Sequence, residues 1–180
     1  MKKRILWITE TALMLALLIT LQWLTKPLGQ LVTGSCVNAV LAITVLASGL
    51  SSGVTVALVS PIFAFLLGIA PQLLTVPAIM VGNLVFVVLL KLIAGDCKVI
   101  WKMVVAWLAA AAAKFAALYM LVVGVICGVA ASALISGGQL KEPAIATLTA
   151  TFSWPQLVTA LIGGAVGLSI VPAIKKALHK

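Results

Sequence analysis

The sequence predicts an all-α integral membrane protein in which six transmembrane helices form one domain over residues 1–180. Composition is the first observation behind this fold class: 64% of the residues are hydrophobic and 8% are charged, whereas a soluble domain carries about 25% charged residues. The second observation is that basic residues cluster at both ends and near the middle of the chain, with long apolar stretches between. Because Lys and Arg concentrate in cytoplasmic segments, both termini are expected in the cytoplasm, which requires an even number of spans.

Six apolar stretches approach or reach the roughly 20 residues that a membrane-spanning helix needs. They cover residues 5–24, 36–50, 54–70 and 72–93, a run that begins near residue 103, and residues 153–172. Polar, proline-containing or glycine-containing segments separate them: residues 26–35, 51–53, 70–71, 95–102 and 137–151. The second and third spans have almost no loop between them, so a tight helical hairpin is expected there.

The fifth apolar run extends from about residue 103 to about residue 135, which is longer than one perpendicular crossing requires. It must therefore tilt, project beyond the bilayer or break, and Gly124 and Gly128 are the expected places for a break.

The predicted orientation follows from the side on which each basic residue falls. Six spans with the N-terminus inside place most of them on the cytoplasmic side: Lys2, Lys3, Arg4, Lys91, Lys98, Lys102, Lys175, Lys176 and Lys180. Only Lys26 and Lys141 fall outside. Five or seven spans would put one basic terminus on the wrong side of the cell membrane, so six satisfy the positive-inside rule.

Several classes of function are excluded by what the sequence lacks. The net charge of +9 is explained by topology and by attraction to anionic lipid headgroups, so no nucleic-acid partner is predicted. The single histidine, His179, lies on the basic tail, and Cys36, Cys97 and Cys127 have no metal-binding spacing. No catalytic residue, metal site or cofactor is predicted, and the protein is not expected to be an enzyme.

Lys114 is the strongest single candidate for a functional residue. It follows a run of five alanines within the fifth span, close to the membrane midplane. A charge there costs at least about 2.5–3.5 kcal/mol on insertion scales, so the side chain should face the bundle interior or water. We expect it to contact an anion or a substrate. The alternative is a structural pair, or a lysine whose long stem reaches back to the membrane surface.

Polar amide and indole side chains collect on the outer half of the predicted bundle. They are Gln22, Trp23, Asn38, Gln72, Asn83, Trp154 and Gln156, with Thr159 one turn deeper than Gln156. Together with Lys114 they are predicted to line a substrate pocket that opens outward. The alternative assigns Trp154 to an aromatic belt at the membrane surface and the amides to hydrogen bonds between helices.

Small residues at four-residue spacing mark places where helices approach closely, and Ala12-Leu-Met-Leu-Ala16 forms such a stripe in the first span. With this stripe the chain resembles a substrate-binding S-component of the energy-coupling factor (ECF) class of micronutrient ABC transporters, in which an AxxxA motif serves docking. The segments Val37–Leu41, Ser60–Gly68 and Gly82-Asn83 are also similar to S-components. The resemblance covers essentially the whole chain.

The resemblance implies a mechanism and a set of partners. An S-component captures a vitamin or similar micronutrient from outside and docks on a transmembrane coupling subunit that is driven by two ATPases. Ala12 and Ala16 would be the docking positions, and Lys114, Asn83, Trp154 and Gln156 would belong to the pocket. The identity of the solute is not readable, although a buried ammonium favours an anionic group. Glu10, an acid beside the docking stripe, departs from the family pattern.

Two other classes of function remain open. One is a self-sufficient small secondary transporter or channel without ATPase partners, in which only Glu10 or Lys114 could couple an ion. Pairing of Glu10 with Lys102 or another base on the inner side is favoured over proton transfer, because no second carboxylate or histidine lies nearby. The other is a structural or assembly membrane protein that binds no small ligand and tolerates substitution of Lys114.

Overall fold

A computed structural model describes residues 2–70, 72–95 and 99–177, and the regular elements of this part of the chain are all helical, which confirms the all-α class. The α-helices are α1 (Lys2–Thr25), α2 (Gln30–Ile43), α3 (Leu50–Leu66), α4 (Val76–Ala94), α5 (Ile100–Leu118), α6 (Ala131–Ser136), α7 (Glu142–Phe152) and α8 (Trp154–Ala177). The predictions for Pro71, Asp96, Cys97, Lys98, His179 and Lys180 lie outside the described residues.

Within the described ranges, five helical segments are long and apolar enough to cross a membrane. They are Arg4–Leu28, Gln30–Ser48, Leu73–Ala94, Ile100–Val129 and Glu142–Ala177. The remaining predicted span, α3, is also apolar but has 17 residues. At 1.5 Å per residue it extends about 25 Å, somewhat less than the hydrocarbon core of a typical bilayer. The helices thus supply five clear spans and one short candidate.

The turn between the second and third predicted spans lies at Gly49, not at residues 51–53 as predicted. Gly49 adopts a φ of 99°, which glycine reaches without the steric cost that other residues meet. A short π-helical segment, Thr44–Ser48, continues α2 up to this glycine, and α3 begins at once with Leu50. Residues 51–53 form the first turn of α3, so the tight hairpin is present but its turn lies a few residues earlier.

The long fifth run changes helix type before either glycine that was expected to break it. α5 ends at Leu118 and continues without a gap as a π-helical segment, Tyr119–Val129. Gly124 and Gly128 lie inside that segment, and both are exposed. The run therefore remains one helical rod through Val129, and the short helix α6 follows it.

The expectation of a loop over residues 137–151 is wrong for its second half, which forms α7. Glu142 and Pro143 open this helix, and both residue types suit a first turn: proline needs no N–H partner there, and a carboxylate favours the positive end of the helix. Leu148 and Phe152, four residues apart, form its buried face. With 11 residues the helix is too short to span a membrane. A search for apolar runs of membrane-spanning length therefore does not detect it.

Two buried clusters hold the helices together. The larger cluster brings together α1, α2, α3, α4, α5 and α8. Its buried side chains include Leu18, Leu41 and Phe86. The smaller one attaches α7 to α4 and to the long fifth helix: Ala78, Leu118, Val122, Leu140, Leu148 and Phe152. Residues 119–152 are thus held mainly by a separate group of contacts.

α2 and α8 pack closely against each other, and glycines on α8 allow it. A Cβ on Gly163 would lie 2.6 Å from the Cβ of Asn38, and one on Gly167 would lie 2.7 Å from the Cβ of Ala42. Neither glycine can therefore be replaced by alanine unless α2 and α8 move apart. The four-residue spacing of these glycines therefore does bring two backbones together, as expected, and it sets the position of Asn38 relative to α8.

Candidate functional site

A cavity with a volume of about 80 Å³ lies inside the bundle, which is room for several water molecules. Its walls come from the last turns of α1, the first turns of α2, the second half of α3, the first half of α4, the last turns of α5 and the junction of α7 with α8. All these segments lie toward the end of the bundle that is opposite the first residues of α1 and the last residues of α8. The cavity therefore belongs to that half.

Lys114 is the charged group of this cavity, and its side chain is only 3% exposed. Its Nζ donates hydrogen bonds to Asn38 Oδ1 at 2.6 Å and to Asn83 Oδ1 at 2.7 Å. The same ammonium lies 5.6 Å from the centre of the Phe86 ring, within the range of a cation–π contact. Three helices, α2, α4 and α5, thus meet at one buried positive charge.

The amide of Asn38 is held from both sides. An ammonium has only donors, so the amide oxygen must face Lys114 and the Nδ2 group must face away. Nδ2 donates to Gly34 O at 2.9 Å and to Thr159 Oγ1 at 3.4 Å. Thr159 belongs to α8, and its hydroxyl donates to Gln156 O at 3.1 Å. The close contact of α2 with α8 therefore orients one of the two partners of Lys114.

The charge of Lys114 is solvated by neutral groups. No acid is present among the described residues of the cavity lining, and two of the three ammonium N–H donors bond to amide oxygens. Buried charges are ordinarily paired with an opposite charge, since an uncompensated one is costly. Among the described residues this site supplies a cation without a counter-ion, and an anion entering the cavity would complete it.

Two buried oxygens in the same lining have no hydrogen-bond partner. Gln22, 7% exposed, presents Oε1 without a donor, and Ser60, 1% exposed, has an unpartnered hydroxyl oxygen. Buried polar groups are nearly always bonded, so each exception needs a partner that enters from outside the protein, such as water or a solute. The cavity therefore offers two further polar contacts besides Lys114.

The predicted pocket residues separate into two groups. Lys114, Asn38, Asn83 and Gln156 line the cavity, where Gln156 Nε2 donates to Thr151 O at 3.2 Å. Trp154 is 66% exposed at the start of α8 and is not part of the lining, and neither is Gln72, although its Oε1 is buried and unpartnered. A binding role for Trp154 and Gln72 stays a prediction.

The sequence-based prediction placed Gln22 among the polar groups of the outer half, but it missed Ser60. A serine in an apolar helix usually bonds to a carbonyl of its own helix and attracts no attention, as Ser35 does with Leu31 O. Ser60 makes no such bond, and only the packing of α3 beside the cavity reveals it. Gln22 is the last amide of a predicted span, a position that ordinarily marks a helix end near the membrane surface.

The alanine stripe of α1 lies on the surface. Ala12 and Ala16 are both exposed, whereas Thr11, Leu18 and Gln22 form the buried face of the helix. Thr11 Oγ1 lies 2.9 Å from Ser52 Oγ and links α1 to α3 on that buried side. A second exposed alanine pair with the same spacing, residues 112 and 116, lies on α5.

Comparison with known protein families, with curated proteins and with solved structures gave no match to this chain.

Proposed function

We propose that this protein is the membrane-embedded substrate-binding subunit of an ECF-type importer. It captures a vitamin or similar micronutrient from outside the cell and delivers it by docking on a transmembrane coupling subunit driven by two ATPases. The observation that carries the proposal is the cavity inside the helical bundle, where a buried cation without a counter-ion and two unpartnered oxygens converge. Buried polar groups without partners weaken a core, and a solute that bonds to them removes that cost.

The proposed topology has six spans with both termini in the cytoplasm. Five helical segments have the length of a span, and α3 completes the count as the short second arm of the hairpin that turns at Gly49. Basic residues cluster at both termini. They support a cytoplasmic position for the end of the bundle that holds the first residues of α1 and the last residues of α8. The cavity lies toward the opposite end, so in this topology it opens outward, as capture from outside requires.

The exposed alanines of α1 support the docking step. Ala12 and Ala16 lie side by side on a face of α1 that no helix in the described part of the chain covers. Small side chains at this spacing let a second helix approach closely within a membrane. The proposed partner surface is therefore the stripe on α1, away from the cavity.

Affinity purification from membranes of the organism that encodes the chain tests the proposed function. We expect the wild-type protein to copurify with a coupling subunit and two ATPases, and the double variant Ala12→Leu/Ala16→Leu to lose them while keeping its solute. The double variant Ala112→Leu/Ala116→Leu is the matched control, because it places the same side chains at the same spacing on another exposed face. It should retain the partners.

Two results would contradict the proposal. A wild-type protein that binds solute but copurifies with no ATPase would favour a self-sufficient transporter. Equal loss of partners in both double variants would show that the α1 stripe has no particular part in docking.

A further inference from the structure

We propose that the cavity is selective for a solute with one negative charge, at least one neutral N–H or O–H donor, and no cationic group. This inference rests on the proposed function, since it names the chemical class of the solute that the same cavity captures. It is carried by the polar groups that the described residues of the lining supply, which are one cation and two oxygens without a partner, with no acid among them.

The single negative charge follows from Lys114. Its ammonium has three N–H donors, of which two bond to Asn38 and Asn83, so one donor is left for a solute. A carboxylate or another singly charged acid balances this one cation. A dianion would bring a second charge into a lining that has no other basic residue, and that charge would lack a partner.

The exclusion of cations follows from the same lining. A zwitterion such as an amino acid carries an ammonium, which gains most from a carboxylate and loses most beside another cation. The described lining has no acidic side chain, and its one basic group repels a second positive charge. Neutral solutes leave Lys114 without a counter-ion, so they gain less on binding than an anion does.

The neutral donor follows from Gln22. An amide oxygen is an acceptor only, so a solute that bonds to Gln22 Oε1 must bring an N–H or O–H. Ser60 Oγ can donate or accept, and it adds a contact without deciding the class. Gln22 belongs to α1 and Lys114 to α5, so one solute that satisfies both groups bridges two helices.

The remaining walls are largely apolar. They include Val37, Pro61, Ala64, Ile79, Leu118 and Phe152. A solute that fits these walls carries its acidic group and its N–H or O–H donor on an otherwise apolar body. Further polar groups would be buried there without partners.

The test uses the purified protein in detergent and a small-molecule cell extract separated by ion exchange at neutral pH into anionic, neutral and cationic fractions. We expect only the anionic fraction to raise the melting temperature of the wild-type protein. Mass spectrometry of the molecule that remains bound should then find one acidic group and a hydroxyl, amide or ring N–H. Adding back the isolated compound should reproduce the shift.

Two variants of cavity residues and one control variant test whether Lys114 and Gln22 cause this selectivity. Lys114→Gln keeps a polar side chain with N–H donors but removes the charge, and it should lose the shift. Lys102→Gln makes the same change at an exposed position of α5 and should behave as the wild type does. Gln22→Met keeps the bulk but removes the acceptor, and should weaken binding of the recovered compound by about tenfold, the usual scale of one buried hydrogen bond.

The outcomes separate this inference from the proposed function. A shift produced by the neutral or the cationic fraction, or one that Lys114→Gln retains, would overturn the proposed solute class and leave solute capture in place. If Lys114→Gln fails to fold, Gln22→Met decides, and unchanged affinity there would overturn the donor requirement. Absence of a shift with every fraction would contradict solute capture itself.

Discussion

At the scale of single residues, the neighbours of Lys114 decide what charge the cavity accepts. Asn83→Asp would place a carboxylate where an amide oxygen now lies 2.7 Å from the ammonium. The resulting ion pair should raise the melting temperature, because it neutralises a buried cation, and it should weaken anion binding by more than about tenfold, because the counter-ion is already present. Thermal unfolding and binding of the recovered solute, measured on the same sample, check both changes.

Gln139→Glu is the control for Asn83→Asp, since it adds a carboxylate at an exposed position between α6 and α7. It should change neither quantity. Anion binding that survives in Asn83→Asp would mean that Lys114 does not contact the solute.

Gly163 is the residue whose substitution should disturb the site from a distance. A methyl group there would meet Ser35 O, Asn38 Cβ and Ala39 N, so α2 and α8 must separate. We expect Gly163→Ala to lower the free energy of unfolding by about 1–3 kcal/mol, the usual range for overpacking, and to weaken solute binding through the displaced Asn38. Denaturant unfolding in detergent measures the first effect.

Gly124→Ala provides the matched comparison for Gly163→Ala. The nearest atom to a Cβ at Gly124 is Tyr119 O at 3.9 Å, an ordinary contact distance. The variant should therefore be close to neutral in stability. A Gly163→Ala protein as stable as Gly124→Ala would contradict the close packing of α2 on α8.

The residues of the site were only partly predictable. Lys114, Asn38 and Asn83 stand out in the sequence because charged and amide side chains are rare in spans, and the structure brings all three together. Gln22 also stands out as an amide at the outer end of a span, but Ser60 cannot be selected in that way. Their significance lies in a missing hydrogen bond, which is a property of packing and not of residue type.

At the scale of elements, α7 is attached through its own small cluster and should respond to mutation separately. Leu148 is buried there beside Leu118, Val122 and Phe152. Leu148→Ala should cost about 2–5 kcal/mol of local stability, as other large-to-small core changes do. Hydrogen exchange should then increase over residues 140–152 while α2 and α8 keep their protection.

Leu73→Ala is the control for Leu148→Ala, because it removes the same atoms from a leucine that is largely exposed. Exchange over residues 140–152 should not change in that variant. Loss of protection in α2 and α8 together with α7 would instead mean that the two clusters unfold as one unit.

Element positions were predicted better than element ends. Apolar runs located every long helix, because a chain in lipid must satisfy its backbone within helices. The end at Gly49 was misplaced since Ser51, Ser52 and Gly53 suggest a turn as strongly as a single glycine does, and the positive φ of Gly49 decides between them. The helix α7 was missed because its apolar face is short and is buried against protein.

At the scale of the whole molecule, the proposed topology can be tested by chemical labelling. Single cysteines are introduced as Lys26→Cys and Lys176→Cys, both at exposed positions, in a background where Cys36, Cys97 and Cys127 are replaced by alanine. Positive-inside orientation predicts that a membrane-impermeant maleimide labels Lys26→Cys in intact cells but labels Lys176→Cys only after permeabilisation. Labelling of both in intact cells would contradict an even number of spans.

The molecular class follows from composition because a chain with 8% charged residues cannot cover a soluble surface. The existence of a cavity does not follow in the same way. It depends on how α1, α2, α3, α4, α5 and α8 leave space beside Lys114, and side-chain packing sets that space.

The central claim is that the cavity holds a solute against Lys114, and the most direct measurement is mass spectrometry of small molecules released from the purified protein. After equilibration with cell extract, the wild-type protein and Lys102→Gln should each release the same compound in near-equimolar amount, and Lys114→Gln should release almost none. Equal amounts from all three proteins, or no compound from any of them, would contradict the claim.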